Sequence, residues 1–135
     1  MERPEGRMTP DQIREFFATD RFAALTGVEI LEVRDSYAKT RLVVEDKHLN
    51  GNNVVMGGCI YTLADFTFAL AANCGERRSV TLTSNIVFNS PASSKILYAE
   101  TEIVKDGRKV CNYVVHISDE RERVVATVNI MGFRG

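Results

Sequence analysis

The chain has 135 residues, 44% of them hydrophobic and 26% charged, with a formal net charge of −1, which is enough apolar material for one domain with a real core. Near-neutral charge and a pI near 6.1 leave no electrostatic basis for binding nucleic acid or an anionic membrane. No run approaches the ~20 apolar residues of a membrane span, and the N-terminus, Met1-Glu2-Arg3-Pro4-Glu5-Gly6-Arg7, lacks the apolar core of a targeting segment, so a cytoplasmic protein is expected.

Residues 1–8 read as a flexible lead to a single domain over 9–135. Thr9-Pro10-Asp11-Gln12 is a helix start, with Thr9 as cap, Pro10 in the first position and an amide three residues after the cap. Behind it Ile13, Phe16 and Phe17, then Phe22 and Leu25 after a break near Asp20, form an amphipathic stretch that ends at Gly27 and covers the core. From Val28 the period changes to two. Residues 28–33 and 37–44 read as strands around a turn at Asp35-Ser36.

The middle of the chain is a loop of small and amide residues, Asn50-Gly51-Asn52-Asn53-Val54-Val55-Met56-Gly57-Gly58, followed by an uninterrupted helix from Cys59 to Asn73. Ile60, Leu63, Ala64, Thr67, Leu70 and Ala71 recur at the three-and-four spacing of one face. The opposite face holds Asp65 among Thr62, Ala69 and Ala72, so this helix has no ordinary solvated side. A carboxylate in such a place costs several kcal/mol unless it is paired, hydrogen-bonded or protonated. Asp65 is therefore either a structural acceptor or a catalytic group.

Four more strands follow, over residues 80–88, 96–104, 109–117 and 124–131, the last three joined by turn-like connectors into an antiparallel meander. Cys59, Cys74 and Cys111 are an odd number at wide spacing and suit reduced core positions. His48 and His116 lie far apart without a ligand cluster, so no metal site is expected. Six strands and one helix that is apolar nearly all round imply the α+β class, with an antiparallel sheet curled about the helix. Asp65's face is left uncovered within one chain, and a second copy related by a two-fold axis is the simplest cover.

In spacing, His48-Leu49-Asn50, Gly57-Gly58, Leu63-Ala64-Asp65 and the strand end Asn85-Ile86-Val87-Phe88-Asn89-Ser90-Pro91-Ala92 resemble the hotdog-fold acyl-CoA thioesterases of the phenylacetyl-CoA (PaaI-like) type, over residues 9–133. Four motifs in register are a fairly specific match. The resemblance implies hydrolysis of an acyl-CoA thioester to free acid and CoA, with no cofactor beyond the CoA of the substrate. It further implies a homodimer that completes the site and a homotetramer built as a dimer of dimers.

By the same resemblance Asp65 is the general base or nucleophile, acting across the dimer interface, and Asn50 positions the thioester or the water. Gly57 offers its backbone N–H to the thioester oxygen, which suits the unpaired donors and positive dipole of a helix start. Thr81, by register back from Asn85, orients the water, with Thr83 placed on the same strand face. Met56, Gly58, His48 and Thr83 fall on the substrate-binding side.

Two positions depart from the family pattern: Met56 stands where a His is usual, and Asn53 where Gly is common, although Asn tolerates left-handed geometry. Tyr61, Phe66 and Phe68 are candidates for an acyl pocket or for the core. Arg77, Arg78, Lys95, Lys105, Arg108 and Lys109 are candidates for holding the nucleotide of CoA or are simply solvated. A hydratase lacks its His at Met56. A non-catalytic acyl-CoA-binding module remains the alternative, favoured by Met56 and opposed by the carboxylate at Asp65.

Overall fold

The computed structural model describes residues 2–135. In chain order the elements are α1 (Pro10–Phe17), α2 (Arg21–Thr26), β1 (Glu29–Arg34), β2 (Tyr37–Val43), a 3-10 turn at Asp46–His48, α3 (Gly57–Asn73), β3 (Val80–Phe88), β4 (Ile96–Asp106), β5 (Val110–Asp119) and β6 (Val124–Phe133). The strands form one six-stranded sheet in the order β1-β2-β4-β5-β6-β3, every pair antiparallel. Helix α3 packs against β2, β4, β5 and β6 and reaches β1. This is the α+β arrangement expected, including the β4-β5-β6 meander.

The packing follows from the two periods. Cys111, Tyr113, Val115 and Ile117 of β5 alternate into the interior fully buried, and Ile60, Leu63, Ala64, Thr67, Leu70 and Ala71 of α3 are at most 3% exposed. Phe68 meets Tyr113 edge to face at 5.4 Å between ring centroids. Each large apolar side chain so buried stabilises the fold by about 1.5–3 kcal/mol. A buried polar tie crosses the layers: the Thr67 hydroxyl donates to Leu63 O (2.6 Å) and meets the Thr40 hydroxyl at 2.7 Å, with both threonines buried.

Helix α1 opens with the expected reciprocal cap, Gln12 N–H donating to Thr9 Oγ1 at 3.2 Å and Thr9 N–H to Gln12 Oε1 at 2.9 Å. Its Phe17 packs on Phe66 of α3 at 6.2 Å. Helix α2 ends at Gly27 with φ of 94°, a left-handed cap that glycine adopts without strain. Ala23 is the buried residue of α2, whereas Phe22 and Leu25 point into solvent, contrary to their expected core role. A six-residue helix shows one narrow face to the core, and Ala23 occupies it. The lead touches the far end of α3: Arg3 donates to Asn73 O and Gly75 O, and Met8 is buried.

The sheet's two edges differ. β1 carries Glu29, Glu32 and Arg34, and the Arg14 guanidinium of α1 donates to Ile30 O at 3.1 Å. β3 has no charged residue from Val80 to Phe88, and Val80, Leu82, Val87 and Phe88 are all more than half exposed.

Candidate functional site

The loop before α3 is organised by Asn50. Its Oδ1 accepts from Asn52 N at 2.8 Å and Val54 N at 3.4 Å, and its own N–H donates to Val54 O at 2.8 Å. Asn53 takes φ of 59°, the left-handed geometry expected of an Asn there. Met56 N–H donates to His48 O and Val55 N–H to Ala92 O, each at 2.9 Å, so the loop is tied on both sides before the helix begins. The Asn50 Nδ2 makes no hydrogen bond among the described residues.

Gly57 and Gly58 then start α3. Neither N–H has a partner among the described residues, and Met56 supplies no side-chain cap. A Cβ on Gly57 would lie 3.0 Å from Cζ of Phe88, so any larger residue here would have to push aside the aromatic ring at the end of β3. Two free amides at the positive end of a 17-residue helix suit an oxygen that gains negative charge.

Asp65 is exposed in the single chain, on a strip with Gly58, Thr62 and Ala69. Its pKa is nonetheless raised, first by partial desolvation and then by the like charge of Asp20; partial desolvation likewise raises Asp20. Asp20, Arg21, Tyr61, Thr62, Asp65 and Phe66 border one cavity of about 390 Å³. The Tyr61 hydroxyl is hydrogen-bonded to Ser84 Oγ at 2.6 Å. Asp65 lies eight positions beyond Gly57 in α3, or ~12 Å along the axis at 1.5 Å per residue. One chain therefore cannot bring both groups to one carbonyl.

β3 corrects one expectation. Thr81 pairs with Gly132 but Thr83 with Met131, with the register shifting between them. This bulge flips the alternation. Thr81 shares the inner face with Gly132, which packs against Phe68, and Thr83 falls on the outer face with Met131. The inner face continues through Ser84, paired with the buried Ile130. Ser84 was not a sequence candidate, because the bulge leaves no mark in the alternation.

His48 is 4% exposed and both ring nitrogens are engaged: Nδ1 accepts from Glu45 N at 2.9 Å, which puts the proton on Nε2, and Nε2 donates to Thr26 O at 2.6 Å. It holds the loop to α2 and has no ring nitrogen left for a ligand. Met56, Gly58 and Cys59 line a second cavity of about 390 Å³, walled opposite by Phe22 and Leu25 of α2. Cys59 is thus half-exposed at a cleft, while Cys74 and Cys111 are buried. Tyr61 borders the Asp65 cavity; Phe66 and Phe68 belong to the core. Of the loop cations, Arg77 pairs with Asp106, and Lys95 borders a polar hollow with Ser93, Ser94, Arg121 and Arg123. Among the described residues no cluster of metal-ligating side chains occurs, and no helix is long and apolar enough to cross a membrane.

The profile of the Thioesterase superfamily matches residues 52–126, the span from the loop ahead of α3 into β6. A protein of Archaeoglobus fulgidus named "Putative esterase" is 30% identical over 118 residues, covering 86% of this chain and 77% of its own. The acyl-coenzyme A thioesterase PaaI of Escherichia coli is 26% identical over 111 residues, covering 82% of this chain and 79% of its own. The crystal structure of a "Hypothetical Thioesterase Protein" of Streptococcus pneumoniae with coenzyme A superposes with a TM-score of 0.82 at 26% identity, over 90% of this chain and 95% of that one.

Proposed function

This chain belongs to the thioesterase superfamily, with the hotdog fold of its PaaI-like members, and on that premise we propose that it hydrolyses acyl-CoA thioesters to a free acid and coenzyme A. The observation that carries the reading is the head of α3, where two unpartnered glycine amides face outward and the helix's only carboxylate stands on the same uncovered strip.

In this mechanism the thioester oxygen accepts from Gly57 N–H, with Gly58 beside it, so the carbonyl carbon becomes more electrophilic. Asp65 of the partner subunit takes a proton from water as the water oxygen attacks that carbon. The tetrahedral intermediate collapses with cleavage of the C–S bond, and the departing thiolate takes the proton from Asp65. The raised pKa of Asp65 makes its carboxylate a stronger base than an ordinary aspartate. Asn50 Nδ2 and the Thr81 hydroxyl are the groups assigned to the thioester and the water. The ~12 Å between Gly57 and Asp65 along one helix and the uncharged β3 edge both support a site shared by two copies.

Thiol release from a panel of acyl-CoAs, short, long and aromatic, tests the reading on the wild type and on Asp65→Asn. A fall in kcat of about 100-fold or more with binding retained is the expected result. Tight binding of acyl-CoA without turnover in either protein would leave a non-catalytic acyl-CoA-binding module, the role that Met56 in place of the usual His favours.

A further inference from the structure

Helix α2 presents an apolar surface with no use in the core. Phe22 and Leu25 are 70% and 72% exposed, and Met56 across the cleft is 58% exposed. Six residues are too few for a helix to hold itself in water. The position of α2 is instead set at its end, where free carbonyls need donors: His48 Nε2 donates to Thr26 O and Lys47 Nζ to Leu25 O at 3.0 Å. The main-chain carbonyl of the same His48 accepts from Met56 N–H at 2.9 Å, at the end of the loop that leads into Gly57. The wall and the amides are therefore one connected unit.

Apart from the Gly58 amide at its mouth, the hydroxyls and the imidazole along the cleft are already bonded inside the chain. The Thr62 hydroxyl donates to Gly58 O and the Thr26 hydroxyl to Phe22 O, each at 2.9 Å, and both His48 nitrogens are bonded. What the cleft offers a ligand is apolar contact. At about 390 Å³ it falls in the ~300–1,000 Å³ range of small-molecule sites, and it begins at Gly58, beside the amide assigned to the thioester oxygen.

We propose that α2, docked through His48, is the acyl-selecting wall of the site, and that Phe22 and Leu25 give it a preference for longer apolar acyl chains over acetyl. This rests on the reading of the chain as an acyl-CoA hydrolase. His48 is here a positioning residue and touches no reacting atom.

The test is kcat/KM along acetyl-, butyryl-, hexanoyl- and octanoyl-CoA for the full chain, for Phe22→Ala/Leu25→Ala and for His48→Gln. Each methylene the cleft accepts should raise kcat/KM about fourfold, the transfer of one CH₂ from water, until the cleft is full. The double variant should lower the octanoyl-to-acetyl ratio by more than about tenfold, and His48→Gln should lower it through KM with kcat kept. A flat series in the wild type, or equal losses on every chain length, would overturn the proposal. So would a double variant that light scattering finds dissociated into monomers, since Phe22 and Leu25 would then be subunit contacts. If no acyl-CoA is turned over, the hydrolysis reading fails by itself, and the same ratio measured as Kd by titration calorimetry decides the wall.

Discussion

The two edges of the sheet are built to opposite specifications. β1 meets water: it carries Glu29, Glu32 and Arg34, has a register shift between Ile30 and Glu32, and is overlaid by the Arg14 guanidinium. β3 has no charge over its whole length and keeps four large apolar side chains more than half exposed. Charges and bulges on an edge strand block further pairing, and their absence invites it. The bulge of β3 lies near its start, between Thr81 and Thr83, so Ser84 to Phe88 stays regular. Phe88, which closes over Gly57, sits at the end of that regular stretch, so the open edge and the proposed oxyanion site are neighbours.

The hardest way to break this contrast is to charge β3. Leu82→Lys with Val87→Lys should give a monomer in light scattering and remove thioesterase activity, whereas Leu31→Lys on β1 should leave mass and turnover unchanged. Next in size, Asp65→Asn should lower kcat by about 100-fold or more. The contrast is sharpened by mixing Asp65→Asn protomers with Gly57→Val protomers, each inactive alone: subunit exchange should restore one working site per mixed dimer, and a mixture that stays inactive would place Asp65 and Gly57 in separate roles.

A smaller effect belongs to Asp20. Its like charge helps raise Asp65, so Asp20→Asn should lower the pKa of Asp65 and move the acid limb of kcat/KM to lower pH, while Asp20→Glu should leave it in place. Smallest is a change in stability. A carboxyl whose folded pKa is raised contributes stability below its unfolded pKa near 3.9 and loses it as pH rises through the folded value. Asp65→Asn should therefore have a Tm at pH 7 equal to or above the wild type, with the difference closing near pH 3.

Much of this was legible in the residues. Thr9 to Gln12 predicts a capped helix, the Ile60–Ala71 spacing predicts the buried face of α3, and Asn53 predicts its own left-handed turn, because each depends on local chemistry. Three features were not. The β3 bulge separates Thr81 from Thr83 without altering the sequence pattern, since either threonine suits a strand. Phe22 and Leu25 look like core residues at helical spacing, and only the shortness of α2 leaves them outside. Asp20 and Asp65 are remote in sequence and meet around one cavity because α2 lies against α3. His48 matched a motif, yet its contacts to Glu45 and Thr26 assign it to scaffolding.

The Thr40–Thr67 hydrogen bond has a consequence for orientation. Hydrophobic burial has no direction, and a helix apolar nearly all round would sink into the sheet at several angles about its own axis with similar gain. A hydroxyl pair at 2.7 Å allows one angle. It serves as the key in a keyway: turning α3 by one residue, ~100°, would part Thr67 from Thr40 and carry the whole strip of Gly58, Thr62 and Asp65 away from the side of the helix that is now uncovered. The aim of the carboxylate is thus indexed from the opposite side of the helix, by two threonines that no substrate touches.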